Sequence, residues 1–447
     1  MENSLRTLAA LALFALCTLA YAIPPIQHWQ TASGAQVYFV ENHDLPMFDL
    51  SVDFPAGAAY DTLEKSGVAR MTNHVMRLGT GDMDENEIAR RLADVGALLG
   101  GRFDADRAGI TLRSLSGKTE RGQALKVVAS LLQRPIFPAS IIDREKARAV
   151  DMIRESDTKP ETIASRNFFR MVYRGHPYGL RDAGEADTVA RLTRDDLLAF
   201  YRSHYAAPYA VVALMGDLTR EEANAMAEDI TAGLPPAAGA EPVLPPVPQL
   251  THSDTRWFQH PATQSHILIG APSIARTDPD YFPLLVGNYV LGGGGFVSRL
   301  MDEVRQKRGL AYSAYSYFAA LRHKGPFVIG MQTRRDQTPE ALAVVRKTLD
   351  DFLKHGPTDK ELTAAKQNLV GGFPLRIDSN RKIQEYLALI GFYHLPLTYL
   401  DDFVKNVERV TAADVRSAFA RHIDATRLVT VVVGPNEDKT AAADAAQ

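Results

Sequence analysis

Residues 189–216 read "VARLTRDDLLAFYRSHYAAPYAVVALMG", and residues 407–434 read "VERVTAADVRSAFARHIDATRLVTVVVG". The two segments align without a gap at an offset of 218 residues. In each copy a threonine, Thr193 or Thr411, precedes an aspartate by three residues, which is typical of a helix N-cap. The apolar and β-branched residues that follow predict a buried strand ending in glycine. The repeat therefore predicts two similar α+β halves.

Composition changes between the two copies, at residues 232–250, which read "AGLPPAAGAEPVLPPVPQL". Pro, Gly and Ala dominate this stretch, so we expect a semi-rigid linker rather than a core segment. The linker divides the chain into an N-terminal domain over residues 23–231 and a C-terminal domain over residues 251–436. An Ala/Asp-rich tail at residues 437–447 is expected to be disordered.

The overall composition is that of a globular protein with more than one domain. The chain has 447 residues, of which 46% are hydrophobic and 23% charged. A formal net charge of −3 and a pI near 6.5 argue against a nucleic-acid binder.

The first 22 residues differ from the rest and are expected to form a cleaved signal peptide. They contain Arg6, an apolar run over residues 8–20 and a small-x-small tripeptide that ends at Ala22. No later stretch is apolar enough to be expected to span a membrane. The only cysteine, Cys17, lies in this segment, so the mature protein would have no disulfide and no thiolate metal site. The simplest location for such a protein is a bacterial periplasm.

A second motif, "VARMTNHVMRLGTG" at residues 68–81, bears on whether the protein can bind a catalytic metal. In a helix, Arg70, Asn73 and His74 share one face, because positions i, i+3 and i+4 lie together. This is the geometry of a zinc-binding H-x-x-E-H helix, in which two histidines hold the metal and the glutamate activates a water. Only the last histidine is present here.

The surrounding sequence resembles the pitrilysin/insulinase family of inverted zinc peptidases. The resemblance begins with "SGVARMTNHVMRLGTGDMDENEIARRLADVGALLGGRFDA" at residues 66–105 and continues through "FRMVYRGHPYGLRDAGEADTVARLTRDDLLAFYRSHYAAPYAVVALMGDL" at residues 169–218. It implies two homologous halves in a clam-shell-like arrangement. Each half would be a mainly antiparallel sheet flanked by helices.

The same resemblance implies that the zinc site has degenerated. Arg70 stands where the first histidine ligand belongs, Asn73 where the catalytic glutamate belongs, and His74 at the second histidine. The third ligand would be the residue seven after Glu145, which is Met152. A guanidinium has no lone pair for a metal, an amide cannot take a proton from water, and a thioether binds zinc poorly. We therefore expect no metal in this chain and no peptidase activity of the chain alone; His74 can equally be an ordinary packing or hydrogen-bonding histidine.

The C-terminal half contains the other part of such a site. The segment "LGGGGFVSRLMDEVRQKRGLAYSAYSYF" at residues 291–318 is similar to the family's glycine-rich turn, helix and strand. Arg305 on the last helical turn and Tyr312 at the start of the strand match a pair that donates hydrogen bonds to the substrate carbonyl and oxyanion. Such a reaction needs a fixed cation and a phenol O–H. The alternative is a surface ion pair for Arg305 and simple packing for Tyr312.

Further positions are implied to contact substrate. Residues 100–115 match an edge strand to which a peptide adds as an extra strand, with Asp104 and Ala105 at the contact. Gly293 and Gly294 belong to the turn that faces the substrate chamber. Asp104 replaces the family's usual asparagine, so a plain structural edge is the alternative there.

Taken together, the resemblance is to the non-zinc subunit of a bacterial heterodimeric metallopeptidase. It implies a homologous zinc-bearing partner subunit, which would hold the zinc, and a peptide substrate. Two alternatives remain open at this point. One is a structural scaffold subunit without a catalytic contribution, and the other is a stand-alone peptide-binding module.

Overall fold

A computed structural model describes residues 24–237 and 239–435 of the chain. The predicted signal peptide and the Ala/Asp-rich tail lie outside the described residues. Within them, no helix combines the length and the apolar character needed to cross a bilayer.

Each half is built on one sheet. The first sheet has the strand order β1-β2-β6-β3-β5-β4, and only the β2–β6 pair is parallel. Its strands are β1 (Gln27–Gln30), β2 (Gln36–Glu41), β3 (Met47–Phe54), β4 (Leu98–Phe103), β5 (Ala108–Leu115) and β6 (Val211–Gly216). The second sheet has the order β7-β11-β8-β10-β9, and only the β7–β11 pair is parallel. Its strands are β7 (Asp254–Gln259), β8 (Gln264–Ile274), β9 (Ala311–Phe318), β10 (Gly325–Arg334) and β11 (Val429–Gly434).

Helices flank both sheets. Those of the first half are α1 (Val68–Val75), α2 (Glu85–Ala93), α3 (Lys118–Gln133), α4 (Ala139–Ser156), α5 (Pro160–Tyr173), α6 (Ala186–Arg191), α7 (Arg194–His204) and α8 (Arg220–Thr231). Those of the second half are α9 (Tyr281–Asn288), α10 (Thr338–His355), α11 (Asp359–Gly371), α12 (Asn380–Phe392), α13 (Tyr399–Glu408) and α14 (Ala412–His422). Two π-helical turns, Tyr289–Gly293 and Met301–Gln306, follow α9. The predicted fold class, two α+β halves with mainly antiparallel sheets, is confirmed.

The repeat that predicts this fold has the expected local structure in both copies. Thr193 caps α7 and Thr411 caps α14, each in a reciprocal capping box with the aspartate three residues on. The strands that follow, β6 and β11, are buried along their whole length. Each lies inside its sheet, between a parallel and an antiparallel neighbour.

The two halves are joined by an exchange of helices. Helix α5 of the first half packs on β8 and β11 of the second sheet, and α12 of the second half packs on β2, β3 and β6 of the first. The 218-residue offset of the repeat relates these two helices to within two residues. At Gly391 of α12, a Cβ atom would come within 2.5 Å of a Val211 methyl, so close approach requires glycine there. Because each sheet is covered by the other half's helix, the halves share core clusters.

The linker differs from its prediction in one respect, because it contributes to the core. Residues 232–250 form no helix or strand in the described part. Leu244 and Leu250 are nevertheless buried in the cluster that joins α5 to the second sheet. An ion pair between Glu241 and Arg322 also fastens the linker to the second half. This burial could not be predicted from the sequence, because isolated leucines among prolines do not repeat with the period of a helix or a strand.

Candidate functional site

Helix α1 is held at its N-terminus by backbone hydrogen bonds to one buried carboxylate. Asp61 accepts from the backbone N–H of Gly67 at 2.5 Å and of Ala69 at 2.8 Å. Gly67 has φ +97°, which a residue with a side chain adopts only with strain. The apolar face, which includes Met71 and Val75, packs in the core of the first half. This packing leaves the opposite face of α1 toward a cleft.

All four degenerate zinc positions line this cleft, which we call the α1 cleft. Its volume is about 510 Å³, and it is lined by residues of α1, α4 and strand β4 and by segments that follow α1 and precede α6. Its lining includes Arg70, Asn73, His74, Arg77, Gly101, Phe103, Glu145 and Met152. The register taken from the sequence thus brings the four positions together in space.

Asn73 and His74 have hydrogen-bond partners inside the chain. Asn73 is buried, and its amide donates to the carbonyl oxygen of Gly109 at 2.9 Å and to the hydroxyl of Tyr205 at 3.4 Å. The Nε2 atom of His74 lies 3.0 Å from a carboxylate oxygen of Glu145. Burial by itself raises the pKa of Glu145, but hydrogen bonds from His74 and Arg144 outweigh it, so the net pKa lies below its ordinary value.

The donors present do not fit a zinc ion. Met152 is 64% exposed and offers only a thioether, and Arg70 offers a cation. His74 and Glu145 are the remaining potential ligands that line the cleft in the described part, and they bind each other. Zinc sites in proteins use three or four nitrogen, oxygen or sulfur ligands. The α1 cleft therefore has no ligand set for zinc among the described residues.

One other group of potential metal ligands occurs in the described residues, in the second half. Asp278, Asp280 and His422 lie close together. Arg421 already donates two hydrogen bonds to Asp280, at 2.7 and 2.8 Å, and the Nε2 atom of His422 lies 3.0 Å from an oxygen of the same carboxylate, which accepts. Since Arg421 and His422 already pair with these carboxylates, the group is explained as an ion-pair network.

Arg305 and Tyr312 lie together on the outer side of the second sheet. Arg305 is in the π-helical turn Met301–Gln306, and its Cζ atom is 4.5 Å from the Tyr312 ring centroid and 4.9 Å from that of Phe296. Tyr312 is 79% exposed. Among the described residues no carboxylate forms an ion pair with Arg305, so the surface ion pair considered as its alternative is not observed. Two aromatic rings hold the guanidinium instead.

A bulge gives Tyr312 its outward direction. Strand β9 pairs with β10, and the pairing passes from Ala314 opposite Met331 to Ala311 opposite Thr333. Two residues of β9, Tyr312 and Ser313, therefore face a single residue of β10. Both are exposed, where strict alternation would bury one of them.

The α1 cleft and the Arg305–Tyr312 pair lie apart in the described part of the chain. A larger cavity of about 650 Å³ lies between the halves, lined by Arg70 and Ala105 from the first and by Tyr317 and Leu321 from the second. Neither Arg305 nor Tyr312 lines it or the α1 cleft. Tyr312 lies five residues before Tyr317 on β9, roughly 16 Å away along the strand. The pair therefore lies outside both cavities that Arg70 of helix α1 lines.

The structure places Asp104 and Ala105 in the turn after β4. The Asp104 carboxylate accepts from the backbone N–H of Asp106 and Arg107 and from Arg107 Nε, at 2.8 to 3.0 Å. The backbone carbonyls of Asp104 and Ala105 accept from the N–H groups of Ala58 and Ala59. These groups are occupied by the turn, so the free edge available to a peptide is β4 itself, Leu98–Phe103.

The glycine-rich turn is packed closely at the two predicted positions. A Cβ atom at Gly293 would come within 2.6 Å of the Asn288 side chain, and at Gly294 within 2.6 Å of the Tyr289 carbonyl oxygen. Asn288 accepts a hydrogen bond from Ser316 of β9 at 2.7 Å. The turn therefore positions the strand that carries Tyr312.

The structure places two residues that sequence analysis does not single out, Arg77 and Asp106, at notable positions. Arg77, three residues after His74, lines the α1 cleft with its guanidinium. Asp106 is fully buried between the halves and accepts from the hydroxyls of Tyr178 at 2.6 Å and Tyr393 at 2.8 Å and from the backbone N–H of Arg322 at 2.8 Å. The helical spacing from His74 could have indicated Arg77; nothing local indicates Asp106, because its partners are distant in sequence.

Fold and site together define a class: a two-half relative of zinc peptidases in which the metal helix lacks its ligands and an Arg–Tyr pair is exposed. Comparison with known proteins agrees. A family model described as "Insulinase (Peptidase family M16)" matches residues 37–184, and one described as "Peptidase M16 inactive domain" matches residues 191–369. The chain belongs to peptidase family M16.

Several individual proteins are similar over nearly the full length. A crystal structure of a peptidase M16 inactive domain from Pseudomonas fluorescens has 38% identity and a TM-score of 0.88, covering 92% of this chain and 98% of that one. A non-peptidase homolog from Helicobacter pylori is 25% identical, over 89% of this chain and 91% of its own. An uncharacterized zinc protease from Streptomyces coelicolor is 28% identical, over 86% and 84%. Relatives described as proteases and as non-peptidases thus share this architecture.

Proposed function

We propose that this protein is the non-zinc subunit of a heterodimeric periplasmic zinc metallopeptidase that degrades peptides. Its homologous partner would hold the zinc, and this chain would supply Arg305 and Tyr312 to the partner's site. The observation that carries the proposal is the outward position of this pair. Tyr312 is exposed on the edge strand β9, and Arg305 lies half-buried beside it in the preceding π-helical turn. Neither lines the α1 cleft, and no carboxylate of the described residues forms an ion pair with Arg305.

The chemistry asked of the pair is stabilisation of negative charge. When a metal-bound water attacks a peptide carbonyl, the oxygen becomes an oxyanion, which donors fixed beforehand stabilise most effectively. The Tyr312 hydroxyl can donate one hydrogen bond and the Arg305 guanidinium one or two. Stacking of the guanidinium on the Tyr312 and Phe296 rings holds both donors in a single arrangement.

The periplasmic location rests on the N-terminal sequence, with Arg6, its apolar run and a cleavage site after Ala22. The mature protein would then begin at Ile23. Sequencing the N-terminus of the protein recovered from a periplasmic fraction tests this. A terminus at Met1 would contradict it.

The experiment that tests the function is reconstitution. The purified chain is mixed with a homologous subunit that has an intact H-x-x-E-H motif, and cleavage of a quenched fluorescent peptide is measured. We expect activity in the mixture that neither protein has alone. Arg305→Ala should lower turnover by about a hundred- to a thousand-fold, since removal of one oxyanion donor typically has that effect.

The control is Arg334→Ala, because Arg334 is another arginine of the second half, exposed and paired with Asp336. It should leave turnover unchanged. A mixture that is active with wild type and equally active with Arg305→Ala would favour the scaffold alternative. A chain that binds peptide alone and never gains activity from a partner would favour the stand-alone binding module.

A further inference from the structure

We propose that the α1 cleft is a carboxylate-binding site, in which Arg70 and Arg77 receive the carboxylate of a bound peptide. This site lies in the half that has lost the zinc ligands. It requires neither Arg305 nor Tyr312, so it stands independently of the function proposed above.

The first observation is the charge of the cleft. Arg70 and Arg77 both line it, and among the described residues neither forms an ion pair with a carboxylate. The one carboxylate of the described residues that lines it, Glu145, is already bound by His74 at 3.0 Å and by Arg148 at 2.9 Å. Neither guanidinium thus has an ion-pair partner in this cleft; Arg70 also interacts electrostatically with Asp182, but that carboxylate does not line the cleft.

The second observation is the position of Arg77. Its Nε atom donates to the carbonyl oxygen of Asn73 at 3.1 Å, and its other N–H groups make no hydrogen bond within the described part of the chain. The guanidinium lies against Gly101 of β4, where a Cβ atom would come within 2.7 Å of Cζ. Burial lowers the pKa of Arg77. A partly desolvated cation without a counter-charge favours the entry of an anion.

Arg70 lies at the rim of the same cleft. Its side chain is exposed, and its Cζ atom is 5.3 Å from the ring centroid of Phe103, the last residue of β4. The ring limits the positions that the guanidinium can take. A planar guanidinium matches a carboxylate in a two-point hydrogen bond, which a point charge such as an ammonium does not.

The third observation identifies a peptide as the carrier of the carboxylate. Strand β4 is one of the two edge strands of the first sheet and pairs only with β5. Gly101 and Phe103 of this strand line the cleft. An extended peptide that pairs with β4 in the manner of strand addition would pass beside both arginines. The recognised group would be the C-terminal carboxylate, as a peptidase product has, or an acidic side chain.

The test uses the chain alone, without any zinc-bearing partner. Binding of a fluorescein-labelled octapeptide with uncharged side chains is measured by anisotropy, once with a free C-terminal carboxylate and once with a C-terminal amide. A third peptide is amidated and carries one central glutamate. We expect at least one carboxylate-bearing peptide to bind about tenfold or more tightly than the neutral amide, because hydrogen bonds to charged groups are the strong ones.

Variants connect that preference to the cleft. Arg70→Ala should abolish it, and Arg77→Met, which keeps the side-chain volume, should reduce it. Arg90→Ala is the matched control, since Arg90 is exposed on the neighbouring helix α2 and paired with Glu87; it should leave the preference intact. Melting curves establish that each variant is folded. If Arg77→Met does not fold, the result for Arg70→Ala alone tests the proposal.

The outcomes separate the sources of the ligand. Preference for the free acid identifies the peptide C-terminus, and preference for the glutamate peptide identifies an acidic side chain. Equal binding of all three peptides overturns the proposal, as does a preference that Arg70→Ala leaves unchanged. Because no partner is present, failure here has no bearing on reconstituted peptidase activity.

Discussion

Strands β4 and β9 are equivalent free edges of the two sheets, but their surroundings differ. Beside β4, the former metal positions have partners within the chain: Asn73 binds Gly109 and Tyr205, and His74 binds Glu145. At β9, the Arg305 guanidinium lies against the rings of Tyr312 and Phe296, and Tyr312 is exposed. In the first region, Asn73 and His74 are hydrogen-bonded within the chain. In the second, neither the Arg305 guanidinium nor the Tyr312 hydroxyl has a hydrogen-bond partner among the described residues.

The largest effect, on metal binding, is expected when zinc ligands are introduced into the first region. Arg70→His together with Met152→Glu should give a cleft with two histidines and a glutamate, a set that binds zinc. Elemental analysis after dialysis should find about one zinc per chain in this variant and none in the wild type.

The control for that variant is Arg70→Ala with Met152→Ala, which removes the same side chains without adding ligands. The variant with zinc should still cleave no peptide alone, because Arg305 and Tyr312 do not line the cleft. A folded double variant without zinc would show that side chains at positions 70 and 152 cannot bind one zinc ion together with His74. Stoichiometric zinc in the wild type would contradict the conclusion that the α1 cleft has no ligand set for zinc.

A smaller effect is expected on stability, and it should differ between the two regions. Asn73→Ala removes a buried amide and leaves the Gly109 carbonyl oxygen without its donor, which costs about 1–3 kcal/mol. Arg305→Ala at the exposed edge should change the free energy of unfolding by no more than about 0.5 kcal/mol. Urea denaturation of both variants measures the difference. Equal destabilisation would mean that Arg305 is a structural residue.

Much of this contrast could be predicted from the sequence, and the reasons are local. The caps at Thr193 and Thr411 and the strands after them follow from side chains within a few residues of one another. The face shared by Arg70, Asn73 and His74 follows from helical geometry. The exchange of α5 and α12 between the sheets could not be predicted, because it depends on packing between distant segments. The same is true of the bulge that exposes Tyr312 and the turn that occupies Asp104, which depend on how neighbouring strands end.

The smallest expected effect is a pH dependence at the first region. The folded-state pKa of Glu145 is below its ordinary value of 4.5, so its charged form stabilises the fold. That contribution is complete above the unfolded-state pKa and is lost as the pH falls through 4.5 toward the lower folded-state value. Glu145→Gln should therefore be less stable than wild type at pH about 7, with the difference shrinking below about pH 4.5.

Glu64→Gln serves as the control for this titration, because Glu64 is exposed on a loop before α1. Its stability relative to wild type should stay nearly constant over the same pH range. A difference between wild type and Glu145→Gln that does not change on acidification would show that Glu145 is not held as a carboxylate by His74 and its arginine neighbours.

The central claim is that the second region acts on a metal site outside this chain, and Tyr312→Phe in the reconstituted complex tests it most directly. The substitution removes one exposed oxygen and leaves the ring under the Arg305 guanidinium. With complex formation and zinc content verified, we expect kcat to fall by about a hundred-fold or more while KM changes little. Full activity of Tyr312→Phe, or a loss confined to KM, would contradict a contribution of this residue to the transition state.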